Sequence, residues 1–318
     1  MQPLHTTAAK DAWNRPSFRR RAAKDFRRNT MIYFMLLPVI AFYGIFHYGP
    51  MYGIQIAFKN FSAGLGITGS PWIGFAHFES FFSSFFFERI IVNTILLGLY
   101  DLIFVFPSSI LLALLLNEVR NRMFKRTVQS ITYLPHFISI VVVIGMLADF
   151  LSMDGWINQL IQFFGGNPTP FLRLPEWFRF LYTSSAVWQG IGWGSIIYLA
   201  AISNIDPSLY EAAKVDGAGR LRQVLSITIP SIMPTIIILF ILRIGSLMAL
   251  QDEKILLMYN PMTYETADVI GTYVYRKGVL EASYSFSAAV GLFNSLINFA
   301  LLFSANYMSK RFSDTKLM

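Results

Sequence analysis

The 318-residue sequence contains no cysteine. That excludes a disulfide framework, a cysteine-ligated zinc and a thiol nucleophile. Charge is scarce: Asp, Glu, Lys and Arg make up 14% of the chain, where a soluble domain carries about 25%. The four histidines, His5, His47, His77 and His136, lie far apart and never pair at i, i+4, so no metal-binding helix pattern is present. The dipeptide Gly-Lys does not occur. The phosphate-cradling loop that ends in Gly-Lys is therefore absent, and any ATP hydrolysis must fall to another polypeptide. No nucleophile–base constellation is evident, so an enzyme is not expected.

What the chain has in excess is apolar surface. It is 54% hydrophobic with a mean hydropathy of +0.49. The excess is gathered in blocks near twenty residues, the length at which a helix crosses roughly 30 Å of hydrocarbon. Six blocks are read, at about 31–57, 90–116, 128–150, 180–203, 231–250 and 284–308. Backbone polar groups in hydrocarbon must be satisfied within their own segment. The predicted fold is therefore an all-α integral membrane protein with six transmembrane helices over 31–308, flanked by tails over 1–30 and 309–318. The first tail is basic and lacks the short apolar core and cleavage site of a signal peptide.

The net charge of +8 invites a nucleic-acid reading, but its distribution favours a membrane one. With the N-terminus inside, the inner segments 1–30, 117–127, 204–230 and 309–318 hold 18 Lys and Arg, and the outer segments 58–89, 151–179 and 251–283 hold 7. Basic residues are retained on the cytoplasmic side. Both termini and the segment 204–230 are thus expected in the cytoplasm, with membrane lipid and not nucleic acid as the surrounding partner.

Several local signals qualify this plan. GFAHFESFFSSFFFER (74–89) sets Phe75, Phe78, Phe82 and Phe85 at helical spacing. That fits a helix lying in the interface, and equally a lid packed on the outer ends of the spans. GGNPTPFLRLPEW reads as an ordered outer loop. Pro38, Pro107 and Pro135 fall inside apolar blocks and predict kinks. Gly190, Gly192 and Gly194 suit close helix packing better than a phosphate loop.

The stretch YEAAKVDGAGRLRQVLSITIP (210–230) is polar, basic and rich in small residues, yet lies between two apolar blocks. Asp206-Pro207-Ser208 makes a helix start, since Pro207 needs no N–H and Asp206 can accept from the first turn. Asp216-Gly217 ends that helix, because Gly tolerates positive φ. RLRQVLSITI resumes a helical pattern, and Pro230 and Pro234 are read as opening the next span. The predicted object is two short helices joined by a glycine elbow. Ala212, Ala213 and Ala218 would let a partner surface approach closely.

Glu211-Ala212-Ala213, then Gly217 after three residues, then Ile227-x-Ile229-Pro230 after nine more, resembles the EAA loop of permease subunits in ATP-binding-cassette importers, with Ile229 replacing Leu. Asp216 and Ala218 fit the carbohydrate branch. WIGFAHFESFF, NTILLG, LLLNEVRNRMFKRTVQSITYLPHFIS and MYNPMTYETADVIGTYVYRKG extend the likeness over nearly the whole chain, towards permeases for alginate and other complex oligosaccharides. The resemblance implies the type I importer permease fold in a bacterial inner membrane. It implies a second, homologous permease as heterodimer partner, two ATPase subunits that bind ATP and Mg, and an extracytoplasmic solute-binding protein. Glu211, Ala212, Ala213, Asp216, Gly217, Ala218, Ile227 and Pro230 would form the loop that docks on the ATPase.

Ionisable groups inside a membrane are functional candidates. Asp101 and Arg243 lie near the middle of their blocks and are expected to face the interior at similar depth, as an ion pair or as cargo contacts. Trp188, Gln189, Trp193 and Tyr198 on the fourth block, and Asn294 and Asn298 on the last, supply the aromatic faces and amides that bind sugars. The same residues also suit interhelix hydrogen bonds. Tyr273 and Tyr275 are candidates for contact with a delivering protein. An ion-coupled secondary transporter, which would show broken helices in inverted repeats, and a membrane enzyme on lipid-linked sugars are the alternatives.

Overall fold

The computed structural model describes residues 24–312; the rest of the two tails lies outside the described residues. The chain divides into two compact units, Met1–Gln55 and Ile56–Met318. The first holds most of α1 (Thr30–Phe58). Met31, Phe34, Met35, Leu37 and Ile40 on this helix are all exposed, so it is apolar on every side, as lipid requires.

In the second unit α2 (Ala76–Phe82) precedes α3 (Phe87–Glu118), α4 (Arg122–Tyr133), α5 (Ile140–Phe163) and α6 (Pro175–Ser203). Then follow α7 (Pro207–Val215), α8 (Arg220–Gly245), α9 (Asp252–Met258), α10 (Ile270–Tyr275) and α11 (Tyr284–Phe312). Six of these helices, α1, α3, α5, α6, α8 and α11, are long and apolar enough to cross a membrane.

Proline shapes three of them in one way. Pro50, Pro107 and Pro230 each sit two residues beyond a widened π turn, at Gly44–Tyr48, Asp101–Val105 and Val224–Thr228. A proline cannot donate to the carbonyl four residues back, and its ring crowds that carbonyl. One wider turn absorbs both problems without ending the helix. This corrects the fifth block. Pro230 does not open the span; the helix already runs from Arg220, so the second half of the elbow is the first turns of α8.

Pro135 acts differently. The third block, expected as one helix over 128–150, is cut by the 3-10 turn Leu134–Phe137 into α4 and α5. The apolar run hid a backbone break. The first part, α4, is capped by Asn121, whose side chain accepts from the Met123 and Phe124 N–H groups at 2.9 and 3.1 Å.

Small residues set the helix contacts. A Cβ on Gly192 would overlap the Thr132 carbonyl of α4, and one on Gly194 would overlap the Ser109 hydroxyl of α3. Gly98 likewise makes room for the Leu247 carbonyl, where the chain turns after α8. Asn298 Oδ1 accepts from the Met248 N–H at 3.1 Å, and Asn294 Nδ2 reaches the Met248 carbonyl at 3.4 Å. The unwound segment is thus satisfied by amides from α11, as buried backbone must be.

The phenylalanine-rich segment packs as a lid. Phe78 and Phe81 are buried, Phe81 in a cluster with Ile90, Met248, Ile270, Tyr273 and Val290, whereas Phe75 and Phe85 point outward. Tyr273 lies in that core at 3% exposure, so it offers no free surface, while Tyr275 is 41% exposed. Near the end of α5, Asn158 is wholly buried and staples the following loop to the helix. Its Nδ2 donates to the Ser152 and Thr169 carbonyls, and its Oδ1 accepts from the Thr169 N–H at 2.8 Å.

Candidate functional site

A cavity of about 700 Å³ opens in the second unit. Its walls are the π turn and following helix of α3 (Asp101, Phe106, Ser109), the break before α5 (His136), one face of α6 (Gln189, Gly190, Trp193, Gly194, Tyr198), the end of α8 (Leu242, Arg243) and the start of α9 (Asp252, Glu253, Lys254). Backbone that departs from α geometry at membrane depth is tolerated where it lines a cavity. Here both the α3 π turn and the break before α5 do so.

Asp101 and Arg243 form an ion pair at this wall. Lys254, which the sequence places in an outer segment with no sign of its role, is fully buried beside them. Its Nζ donates to the Tyr182 carbonyl at 3.0 Å and lies 4.9 Å from the Tyr182 ring centroid. Burial lowers its ammonium to about 8, against the pull of the Asp101 charge. Burial likewise pushes the Asp252 carboxyl up to about 6; that carboxylate fills the space a side chain on Gly271 would need.

Gln189, Trp193 and Tyr198 line the cavity with Asp101 and Arg243. Gln189 already spends its amide: Nε2 donates to the Ile138 carbonyl at 3.2 Å, an acceptor freed by the helix break. Trp193 stacks on His136, centroids 4.5 Å apart and planes 4° from parallel. Tyr198 is 3% exposed. Trp188 lies outside the lining and is half-exposed. Asn294 and Asn298 are also outside it, engaged with the Met248 backbone.

The segment after α6 forms a braced elbow. Asp206 caps α7 by accepting from the Ser208 N–H at 2.9 Å, and this bond holds its carboxyl below the ordinary carboxylate value. Gly217 adopts φ +74°, and the Ala218 N–H closes back on the Ala213 carbonyl at 2.8 Å, a helix-ending turn that favours glycine. Tyr210 and Thr228 join their hydroxyls at 2.9 Å, tying α7 to α8, and Gln223 Nε2 donates to the Ala218 carbonyl at 2.8 Å. Glu211, Ala212, Asp216 and Gly217 are exposed, Ala213, Ala218 and Ile227 half-buried, and Pro230 exposed. Val215 and Leu221 flank the elbow at 88% and 73% exposure.

A further network has no counterpart in the sequence pattern. Asp268 is fully buried and accepts from Arg276 at 2.8 Å, Arg89 at 3.2 Å and the Thr272 hydroxyl at 2.9 Å. Asn93 donates to the Glu265 and Asp268 carbonyls and accepts from Arg179 at 2.9 Å. α3, α6 and the segment before α11 are joined there. Among the described residues no group of His, Cys, Asp or Glu is arranged to hold a metal.

The family described as the inner membrane component of binding-protein-dependent transport systems matches residues 106–314. The chain belongs to this family. It is 44% identical to protein LplB of Bacillus subtilis (strain 168) over 92% of both chains. It is 45% identical to the polygalacturonan/rhamnogalacturonan transport system permease protein YteP of the same organism, over 89% of this chain and 88% of that protein. A crystal structure of a bacterial ABC transporter involved in the import of the acidic polysaccharide alginate superposes with a TM-score of 0.86 at 46% identity, covering 92% of this chain and 99% of that one. The permease fold is therefore that of a type I importer, in a multi-pass membrane protein that serves transport and not catalysis. The ion-coupled alternative finds no support in these likenesses.

Proposed function

We propose that this permease subunit passes oligosaccharides bearing carboxylates across the bacterial inner membrane, through the cavity walled by α3, α6 and α8. The observation that carries the reading is the Asp101–Arg243 pair at the cavity wall with Lys254 buried behind it. Asp101 neutralises Arg243, and a uronate carboxylate takes over that role during passage. The likeness to a polygalacturonan/rhamnogalacturonan permease and to an alginate transporter supports an acidic cargo. A neutral oligosaccharide is the second reading, because the same wall carries three carboxylates, Asp101, Asp252 and Glu253, against two cations.

The work comes from elsewhere. Glu211, Ala212, Ala213, Asp216, Gly217 and Ala218 present a cytoplasmic elbow that docks on one of two separate ATPase subunits, which hold ATP and Mg; Ile227 and Pro230 anchor it in α8. An exposed ion pair through Glu211 contributes only about 0–1 kcal/mol, so exposed Val215 and Leu221 supply the apolar contact. A second permease completes the pathway, a solute-binding protein delivers cargo from outside, and both termini lie in the cytoplasm. Support for a delivering partner comes from the related alginate transporter, crystallised with a pentasaccharide-bound periplasmic protein. Uptake and ATP hydrolysis by the reconstituted complex, measured with neutral and uronate oligosaccharides, test the proposal. Uronate stimulation that Arg243→Ala abolishes is expected; equal response to both sugar classes overturns the acidic-cargo reading.

A further inference from the structure

The break in the third span presents to the cavity one side chain that no sequence motif singles out. Leu134–Phe137 is a 3-10 turn, and His136 lies within it, exposed, at the cavity wall. Its ring rests flat on Trp193 of α6, 4.5 Å between centroids, while Phe137 meets the same indole edge-on at 5.5 Å. Neither ring nitrogen of His136 has a hydrogen-bond partner among the described residues. The turn itself is held: Gln189 Nε2 secures the Ile138 carbonyl, and Pro135 is buried. The backbone is pinned and the ring is backed by an aromatic face, yet both nitrogens remain unused.

That is the arrangement of a presented ligand group. A side chain kept only for packing would not need an imidazole with two idle polar atoms at the edge of a cavity. Beside it the wall is bare: Gly190, a lining residue, has open space where a Cβ would be. A neutral imidazole donates through one nitrogen and accepts through the other, matching a sugar hydroxyl or carboxylate. The stack fixes the ring plane before cargo arrives, which lowers the ordering cost of binding.

We propose that His136, backed by Trp193, is a cargo-contacting specificity residue of the permease, hydrogen-bonding the saccharide as it passes Gly190. The inference rests on the reading of this cavity as the pathway. The test uses the full transporter in proteoliposomes and measures uptake against concentration for trigalacturonate and maltotriose. His136→Phe keeps a flat ring on Trp193 and removes both nitrogens; His136→Gln restores a donor and an acceptor. His136→Phe is expected to lower kcat/KM about tenfold for the transported sugar, the order of one lost hydrogen bond, with His136→Gln recovering most of it. Gly190→Leu fills the open wall and is expected to block uptake. If Gly190→Leu leaves uptake intact, the cavity is not the pathway and both readings fall. If Gly190→Leu blocks uptake but His136→Phe stays within twofold of wild type, or both His136 variants lose equally, the His136 assignment alone is overturned.

Discussion

Asp101 on the π turn of α3 is paired with Arg243 near the end of α8, across the wall of one cavity. The pair joins two spans, and its side chains are 17% and 41% exposed. Removing one partner leaves the other charge poorly compensated, which costs more than losing the attraction. Asp101→Leu and Arg243→Leu are each expected to lower the melting temperature of the purified complex, and the double variant to lose less than the two singles together. The coupling in a double-mutant cycle should reach about 1–3 kcal/mol. Strict additivity would mean that the pair makes no energetic contribution.

The glycines of α6 make a sharper structural forecast, because neighbours on one helix should behave oppositely. A Cβ at Gly192 meets the Thr132 backbone carbonyl, which cannot move aside as a side chain could, whereas Gly190 faces open space. Gly192→Ala should destabilise the complex by about 1–3 kcal/mol, the usual range for overpacking. Gly190→Ala should be neutral or slightly stabilising, since Ala favours helix by about 1 kcal/mol over Gly. Thermal melts of the two variants side by side decide it.

At the elbow, Gly217 has φ +74° and is exposed. Gly217→Ala strains the backbone by roughly 1 kcal/mol without touching the cavity. The expected result is intact assembly of the six-span subunit with cargo-stimulated ATP hydrolysis reduced severalfold. Unchanged stimulation would remove the elbow from the coupling path.

Much of this architecture was legible from sequence where the cause is local. The six spans follow from block length, and the elbow follows from Asp206, Pro207 and Gly217, whose preferences act within a few residues. Asp101 and Arg243 stood out because charge is rare in apolar blocks. The misplacements also have local causes: Pro230 and Pro135 look alike in a string, yet one is absorbed by a π turn and the other breaks a span. Lys254 and His136 could not be read, because each gains its role from a partner more than 50 residues away, Tyr182 and Trp193; Asp268 has Thr272 and Arg276 nearby in the chain, but its network is completed by Arg89 from the distant α3. Asn294 and Asn298 carried a sugar-binding signal in type alone; their position beside Met248 sets what they bond.

The Asp268 network makes a demand of its own. One buried carboxylate answers two arginines directly, with Arg179 held close by through Asn93. Asp268→Asn preserves the shape but strips the charge, leaving the partly buried guanidinium groups of Arg89 and Arg276 without a counter-ion. Breaking such a buried pair costs about 3–5 kcal/mol. This variant should therefore destabilise the complex more than Gly192→Ala does, with poor yield of assembled complex. Arg89→Lys, at the longer and more exposed contact, should cost under about 1 kcal/mol.

Protonation offers an independent check on the segment between α8 and α11. The Asp252 carboxyl is raised by burial to about 6, above its unfolded value near 3.9. The folded protein therefore binds the proton more tightly than the unfolded chain, and stability falls as pH rises from about 4 to about 6, remaining reduced above that. Lys254 shifts the other way, lowered by burial to about 8, so its cost is full below about 8 and fades towards its ordinary value near 10.4. The two windows do not overlap, which lets one variant isolate one group. Asp252→Asn should raise the melting temperature of the complex by a few degrees at pH 7 and by only about a third as much at pH 4.5. An equal rise at both values would place the effect in packing against Gly271 instead of in the charge.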